Sequence, residues 1–388
     1  MCSDAWKTAG QWALTELQEE LGSDWPKRCY AKENRLPAEL LNSCVDAVAY
    51  GFMLEWALRL KVLRDAQVPG VGALRRVARS DVRKQQRLHV GLQTEVATLG
   101  LTLGHQVALE ETSSDAKNPL DVRLRDGDTS IDVETFALLL DEASAAAAKD
   151  DDLTLRRLRE IEWTHGVSFN GSLDVRLSAG DLTAWLDELE HAARLAAATG
   201  TAQHVVSADA DITVLPPGDP SPTQFSGPVT VARGWSRTAG RLTQKAQQAQ
   251  DSGATWLRAD LLDGIFWASD WATAPMPEKT AAMAELVRAA LVDQHHLSGV
   301  VVSSSACPAF DTHLDESVPL DNGSIGLRRM LPFNRVRETL VVPLKSAATS
   351  EATTWAQIYE AEPGWLDGAL AKMQLPSIVA ILTRSPVS

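Results

Sequence analysis

The stretch N-P-L-D-V-R-L-R-D-G-D-T-S-I-D-V-E-T-F, Asn118 to Phe136, decides how the chain is read. Leu120, Val122 and Leu124 alternate with polar residues, as do Ile131 and Val133. Between the two runs lies Arg125-Asp-Gly-Asp128, where Gly127 supplies the positive φ of a tight turn. The pattern predicts a β-hairpin. Alternation sends Asp132 and Glu134 to one face and Ile131 and Val133 to the other, with Asp121 on the partner strand. Depending on register, these three carboxylates converge across the hairpin. Like charges so gathered are costly unless a cation lies between them, and oxygen-rich carboxylate clusters are how proteins hold Mg²⁺. An ordinary solvated hairpin face is the competing reading.

Upstream, Gln85 to Gly104 carries Leu88, Leu92, Val96, Leu99 and Leu103 at helical spacing, with Glu95 at the margin of the stripe. A carboxylate there calls for a partner. Gln106 to Glu110 then reads as a short strand. The order is a helix with Glu95, a strand, a strand with Asp121, and a strand with Asp132 and Glu134.

With Pro119-Leu-Asp121, Asp132-Val-Glu134 and Glu95 in that order, the chain resembles the PD-(D/E)xK nuclease superfamily over roughly residues 85–140 and 235–305. The resemblance implies an α/β (α+β) fold with a restriction-endonuclease-like αβββαβ core. It implies catalytic residues Asp121, Asp132 and Glu134, with Glu95, Asp121, Asp132 and Glu134 around Mg²⁺ or Mn²⁺. The family's lysine usually stands two positions after the acidic residue. Here that position is Phe136 counted from Glu134, or Glu134 counted from Asp132. Some members move the lysine to the next helix, which makes Lys245 the fourth catalytic candidate and Gln248 a position near the substrate. Other members have lost catalysis.

Composition bounds these readings. The chain has 388 residues, 45% of them hydrophobic, and a formal net charge of −14. That charge argues against broad, non-specific nucleic-acid affinity, though a local basic surface suffices for a nuclease. Arg59 to Arg87 is such a segment. It holds Arg75, Arg76, Arg79, Arg83 and Lys84 as candidate nucleic-acid contacts, against only Asp65 and Asp81. The alternative is a helical face paired with acidic partners elsewhere in the chain. Arg328, Arg329, Arg335 and Arg337 form a second candidate phosphate cluster. Cys2, Cys29, Cys44 and Cys307 have no metal-site or disulfide spacing, and no apolar run approaches the ~18 residues of a membrane span. The expectation is a cytoplasmic protein without a membrane partner.

The remaining chain reads as a helical N-terminal region (1–84), the first half of the core (85–140), an insertion (141–228), and the second half of the core with a C-terminal extension (229–388). Leu40–Leu63, Asp181–Thr199, Arg237–Asp251 and Glu278–Asp293 have helical patterns; Trp256–Leu261 and Gly299–Ser305 read as core strands. Gly326–Leu331 and Glu338–Leu344 read as a strand pair, and Trp355–Leu382 as a helix followed by a strand. Phe266, Trp267 and Trp271 read as packing or a lid. The function expected is metal-dependent hydrolysis of nucleic-acid phosphodiester bonds, DNA above RNA, with a protein partner or a second copy also possible. The alternatives are a catalytically inactive nuclease-fold module for nucleic-acid binding or assembly, and an interaction protein whose hairpin is merely solvated.

Overall fold

The computed structural model describes the chain except residues 1–2, 34–46, 112–117, 139–153, 155–156, 159, 174–176, 208–209, 220, 222–223, 227–233, 262–274, 305–306, 309–313 and 384–388. The acidic run 141–152, the Phe266–Trp271 segment and the start of the expected Leu40–Leu63 helix lie outside the described residues. The chain divides into two units, residues 1–139 with 233–388, and residues 140–232.

The first unit is a mixed α/β structure that begins with helices. These are α1 (Asp4–Leu21), α2 (Trp25–Glu33), α3 (Ala47–Asp65), α4 (Val71–Ser80) and α5 (Lys84–Thr102). Three antiparallel strands follow, β1 (Gln106–Glu111), β2 (Leu120–Asp126) and β3 (Thr129–Leu138). Gly127 turns the β2–β3 hairpin at φ 56°. In the second unit lie β4 (Ser168–Leu173), α6 (Ala179–Thr199), β5 (Gln203–Val206), β6 (Ala210–Leu215) and β7 (Gln224–Ser226). Their four strands form a small sheet in the order β5-β6-β4-β7, antiparallel except between β4 and β7. Ser178 caps the start of α6 by accepting from the Asp181 N–H, and Phe169, Trp185, Leu189 and Ile212 lie in this unit's own core.

The chain then returns to the first unit with α7 (Gly234–Ser252), β8 (Trp256–Leu261), α8 (Met276–Ala290) and β9 (Gly299–Ser304). β10 (Cys307–Pro308), β11 (Glu316–Pro319), β12 (Ile325–Leu331) and β13 (Arg335–Pro343) complete the sheet. Eight strands run in the order β1-β2-β3-β8-β9-β13-β12-β11, with the short β10 pairing β13. β8 is parallel to both β3 and β9. Every residue of β9 and β13 is buried, as expected for strands covered on both faces.

Each sheet face has its own core. Val122, Leu124, Val133, Trp256, Val301 and Val341 pack against the N-terminal helices, α5 and the C-terminal helices. Phe136, Leu257, Ala259, Val300 and Val302 pack against α7 and α8 through Leu242, Ala246, Met283 and Val287. Helix α5 lies close on the hairpin because Gly100 has no side chain; a Cβ there would stand 2.7 Å from Leu124 Cδ2. The C-terminal segment is α9 (Thr349–Glu360), α10 (Glu362–Lys372) and α11 (Ile378–Leu382). The strand expected at its end is therefore a helix. Ser377 accepts from the Ala380 N–H and starts the turn, a local bond that a short apolar run does not reveal.

Candidate active site

Strand β2 breaks its own alternation at Asp121. Leu120 packs into the α7–α8 core, whereas Val122 and Leu124 pack into the opposite one, although residues two apart normally share a face. Across from Asp121, between the pairs Leu109↔Val122 and Glu111↔Leu120, Glu110 has φ 51°, uncommon for a residue with a side chain. The irregularity brings the buried Asp121 carboxylate within reach of α5. Its Oδ2 accepts from the Thr135 N–H at 2.6 Å and the Thr135 hydroxyl at 3.0 Å. Its Oδ1 accepts from Gln93 Nε2 at 2.8 Å and lies 3.4 Å from His89 Nε2.

The β2–β3 register ends at Val122↔Val133, and Glu134, the next residue of β3, lies near enough to Asp121 to feel its charge. The Ser252 hydroxyl donates to Glu134 Oε2 at 3.2 Å, and Lys245 Nζ stands 3.7 Å from Oε1. Lys245 and Ser252 are seven residues apart on α7, two turns on one face. Gln248, on the turn between them, is exposed. Gln93 also donates to Glu110 Oε1 at 2.6 Å, so one amide nitrogen bridges two carboxylates. Its own Oε1 is buried with no hydrogen-bond partner, in a residue that is 0% exposed.

The electrostatics follow from this crowding. Burial pushes the Glu134 carboxyl up to about 7, with the Asp121 charge adding and the Lys245 charge opposing. Burial likewise raises Glu110; the Gln93 hydrogen bond works against that and Asp121 with it. Burial also opposes charge on Asp121 and His89, but each holds the other ionised. The Asp121 carboxyl therefore lies below its ordinary range and the His89 imidazole above. The site thus gathers three carboxyl groups, Asp121, Glu134 and Glu110, with two cations, His89 and Lys245.

Other sequence candidates lie elsewhere. Glu95, two residues beyond Gln93, turns to the other side of α5. It accepts from Arg337 at 2.6 Å, Arg258 at 2.8 Å, Arg59 at 3.5 Å and the Tyr359 hydroxyl at 3.3 Å. Its carboxylate is committed to three guanidinium groups, so the structure does not bring it to Asp121. Asp132 shares a strand face with Glu134 but stands opposite Arg123, whose Nε and Nη2 bind it at 2.6 and 3.0 Å. Arg75 pairs with Glu20, and Arg83 with Asp81 at 2.8 Å through Nε. Arg79 binds backbone carbonyls of Glu19 and Glu20, and Arg76 is exposed. The Lys84 side chain lies outside the described residues. Arg328, Arg329, Arg335 and Arg337 are engaged within the chain by Glu338, Glu360, Glu55, and Glu95 with Glu362.

His89, Gln93, Glu110, Thr135 and Ser252 were not singled out in the sequence. His89 and Gln93, four apart on one helix, carried the one available signal: two polar side chains along a segment that faces a sheet. Among the described residues no group of three His, Cys, Asp or Glu side chains is gathered closely enough to hold a metal ion. Mg²⁺, however, commonly takes only one or two protein carboxylates and keeps several waters. Asp121 and Glu134, with the orphaned Gln93 Oε1 nearby, supply the hard oxygen donors such an ion takes. No helix among the described residues is long and apolar enough to cross a membrane. The chain matches no protein-family model, no curated protein and no solved structure.

Proposed function

We propose that this protein is a metal-dependent nuclease of the restriction-endonuclease-like kind, acting on DNA. One observation carries the reading. Asp121 and Glu134 stand side by side on the second and third strands of an α5-β1-β2-β3-α7-β8 unit, and α7 sets Lys245 against Glu134. This is the order of elements that the αβββαβ resemblance implies, with the lysine carried by the following helix. Phe136, where the lysine usually stands, is buried in the core under α7.

In this reading Asp121 and Glu134 hold Mg²⁺ or Mn²⁺, and Gln93 Oε1 offers a neutral oxygen beside them. A bound divalent ion supplies Lewis-acid stabilisation of phosphate charge and acidifies a coordinated water. The chain's own groups do the positioning. Thr135 and His89 keep Asp121 ionised and fix its orientation. Without a metal, burial raises the Glu134 carboxyl to about 7, so binding the ion displaces a proton from it and tightens as pH rises. Lys245 brings a positive charge to where the scissile phosphate gains negative charge.

The test is cleavage of plasmid, linear and single-stranded DNA with Mg²⁺ or Mn²⁺, comparing wild type with Asp121→Asn, Glu134→Gln and Lys245→Ala. Metal-dependent cleavage lost in the first two and reduced in the third is expected. A second reading, a nuclease fold without catalysis, is favoured by the carboxylate partners: both oxygens of Asp121 and both of Glu134 already have one. DNA binding by wild type without cleavage, and without heat of Mn²⁺ binding, would replace the first reading with the second.

A further inference from the structure

The basic segment Arg59–Arg87 divides into two sets by what its cations touch. Arg59 is enclosed by Glu55, Glu95 and Glu362. Arg64 and Arg75 are held by acidic residues of α1, Glu16, Glu19 and Glu20 for the first and Glu20 for the second. These charges are cancelled inside the fold.

The second set is Arg76, Arg79 and Arg83, which Arg28 and Lys32 of α2 join; its carboxylate partners are Asp24 and Asp81, and Arg79 is held by carbonyls. Arg79 donates to the backbone carbonyls of Glu20 at 2.6 Å and Glu19 at 2.8 Å, in the last turn of α1. Arg28 donates to the carbonyls of Leu21 and Arg79, with Asp24 at 3.0 Å as its carboxylate neighbour. A carbonyl fixes a guanidinium without neutralising it. Arg76 is exposed and has no carboxylate partner among the described residues. Arg83 binds Asp81, whose carboxyl is held below its ordinary range by Arg83 first and by Lys32 as a lesser cause.

The spacing makes a surface of these residues. Arg28 and Lys32 are four apart on α2. Arg76, Arg79 and Arg83 follow at three and four along α4 and just beyond its end. The two rows are joined where Arg28 meets the Arg79 carbonyl and where Lys32 acts on Asp81. Among the described residues the ion pairs of these five cations are Arg28 with Asp24 and Arg83 with Asp81, in a protein of net charge −14. Arg83 is also the residue that precedes the first turn of α5, the helix that carries His89 and Gln93 to Asp121.

We infer that Arg28, Lys32, Arg76, Arg79 and Arg83 form a track for the sugar–phosphate backbone of duplex DNA, leading along α5 to the Asp121–Glu134 site. The destination of the strand rests on the nuclease reading; the binding does not. The contacts are to phosphate, so the track orients the duplex without reading its sequence.

The experiment uses the full chain with Asp121→Asn, so that nothing is cut, and fluorescence anisotropy of a labelled duplex over a range of salt. Lys32→Glu, Arg76→Glu and Arg83→Glu are combined, since among the described residues none of these side chains holds a backbone carbonyl. A control reverses Lys7, Lys345 and Lys372, exposed cations elsewhere. Circular dichroism melts verify that both variants fold. In the track variant the slope of log affinity against log salt should fall by roughly three, with affinity down at least about tenfold. The control should resemble the parent. An unchanged slope, an equal loss in the control, or binding to anionic vesicles with none to duplex would overturn the track. Cleavage by wild type with an unchanged slope would overturn the track and spare the nuclease. A lost slope in a protein that never cleaves would do the reverse.

Discussion

Replacing Glu95 by Gln tests whether that carboxylate is structural or a metal ligand. Glu95 is 2% exposed and lies 2.6, 2.8 and 3.5 Å from guanidinium nitrogens of Arg337, Arg258 and Arg59. At an effective dielectric of about 20, a charge pair at such a distance is worth roughly 5–6 kcal/mol before desolvation is subtracted. Gln keeps the shape and loses the charge, so the three cations are left with Glu362, Glu55 and Asp260. Breaking a buried pair from one side typically costs about 3–5 kcal/mol, and that is the loss expected here. Urea unfolding in EDTA, followed by tryptophan fluorescence, measures it; Trp256, Trp355 and Trp365 share a core cluster beside this network. The pH dependence has a definite sign. Burial works against ionised Glu95, but Arg337, Arg258 and Arg59 outweigh it, so the carboxyl is depressed on folding. Its contribution is present above the unfolded value of about 4.3 and is lost as pH falls toward the folded one. The gap between wild type and variant should therefore close only in acid. A variant within about 1 kcal/mol of wild type, with weakened Mn²⁺ binding, would refute the structural role and return Glu95 to the metal site.

Glu134→Gln should act with the opposite sign. Its carboxyl is raised to about 7 on folding, so its contribution is present below about 4.3 and lost as pH rises through 7. Metal-free melts should find the Gln variant more stable than wild type by up to roughly 3–4 kcal/mol at about pH 8 and no more stable at about pH 4; a loss at both would mean that the Ser252 and Lys245 contacts matter more than the burial. Residues 140–232 form a unit with its own core, so replacing them with a short Gly-Ser linker should leave the first unit folded, with a cooperative melt. A molten product would show that the first unit depends on them.

The hairpin, the helix before it and the core strands after it were legible because their periodicities differ, two for the strands and about 3.6 for the helices. Asp121 and Glu134 were legible as candidates on neighbouring strands, but what brings them together is the strand register and the break in alternation at Asp121, which the pattern does not reveal. What escaped was set by partners distant in sequence. Asp132 and Glu134 read alike, and only the register that puts Arg123 opposite one of them separates their roles. Glu95 and Gln93 are two residues apart on one helix, about 200° around its axis. The partners that claim Glu95 come from Arg258 and Arg337, far along the chain. The orphaned Gln93 oxygen and the positive φ of Glu110 have no local signature at all. Arginine-rich sequence likewise looks the same whether its partner is a carboxylate, as for Arg75, or a carbonyl, as for Arg79.

The parallel pairing of β3 with β8 joins Val133 to Trp256, with residues 140–232 between them. On the ribosome, at about 5–20 residues per second, the open edge of β3 waits roughly 6–25 s for its neighbour to be made. During that time its exposed backbone is a template for pairing with another nascent chain. If residues 140–232 fold on emergence, the flexible loop that must close shrinks from about 120 residues to about 30, a saving on the order of 1 kcal/mol in closure entropy. On that premise, and with the two ends of the unit close together, residues 140–232 would act as a kinetic splint for the sheet. Destabilising its core should lower the yield of soluble protein expressed in cells, even where the purified first unit is just as stable.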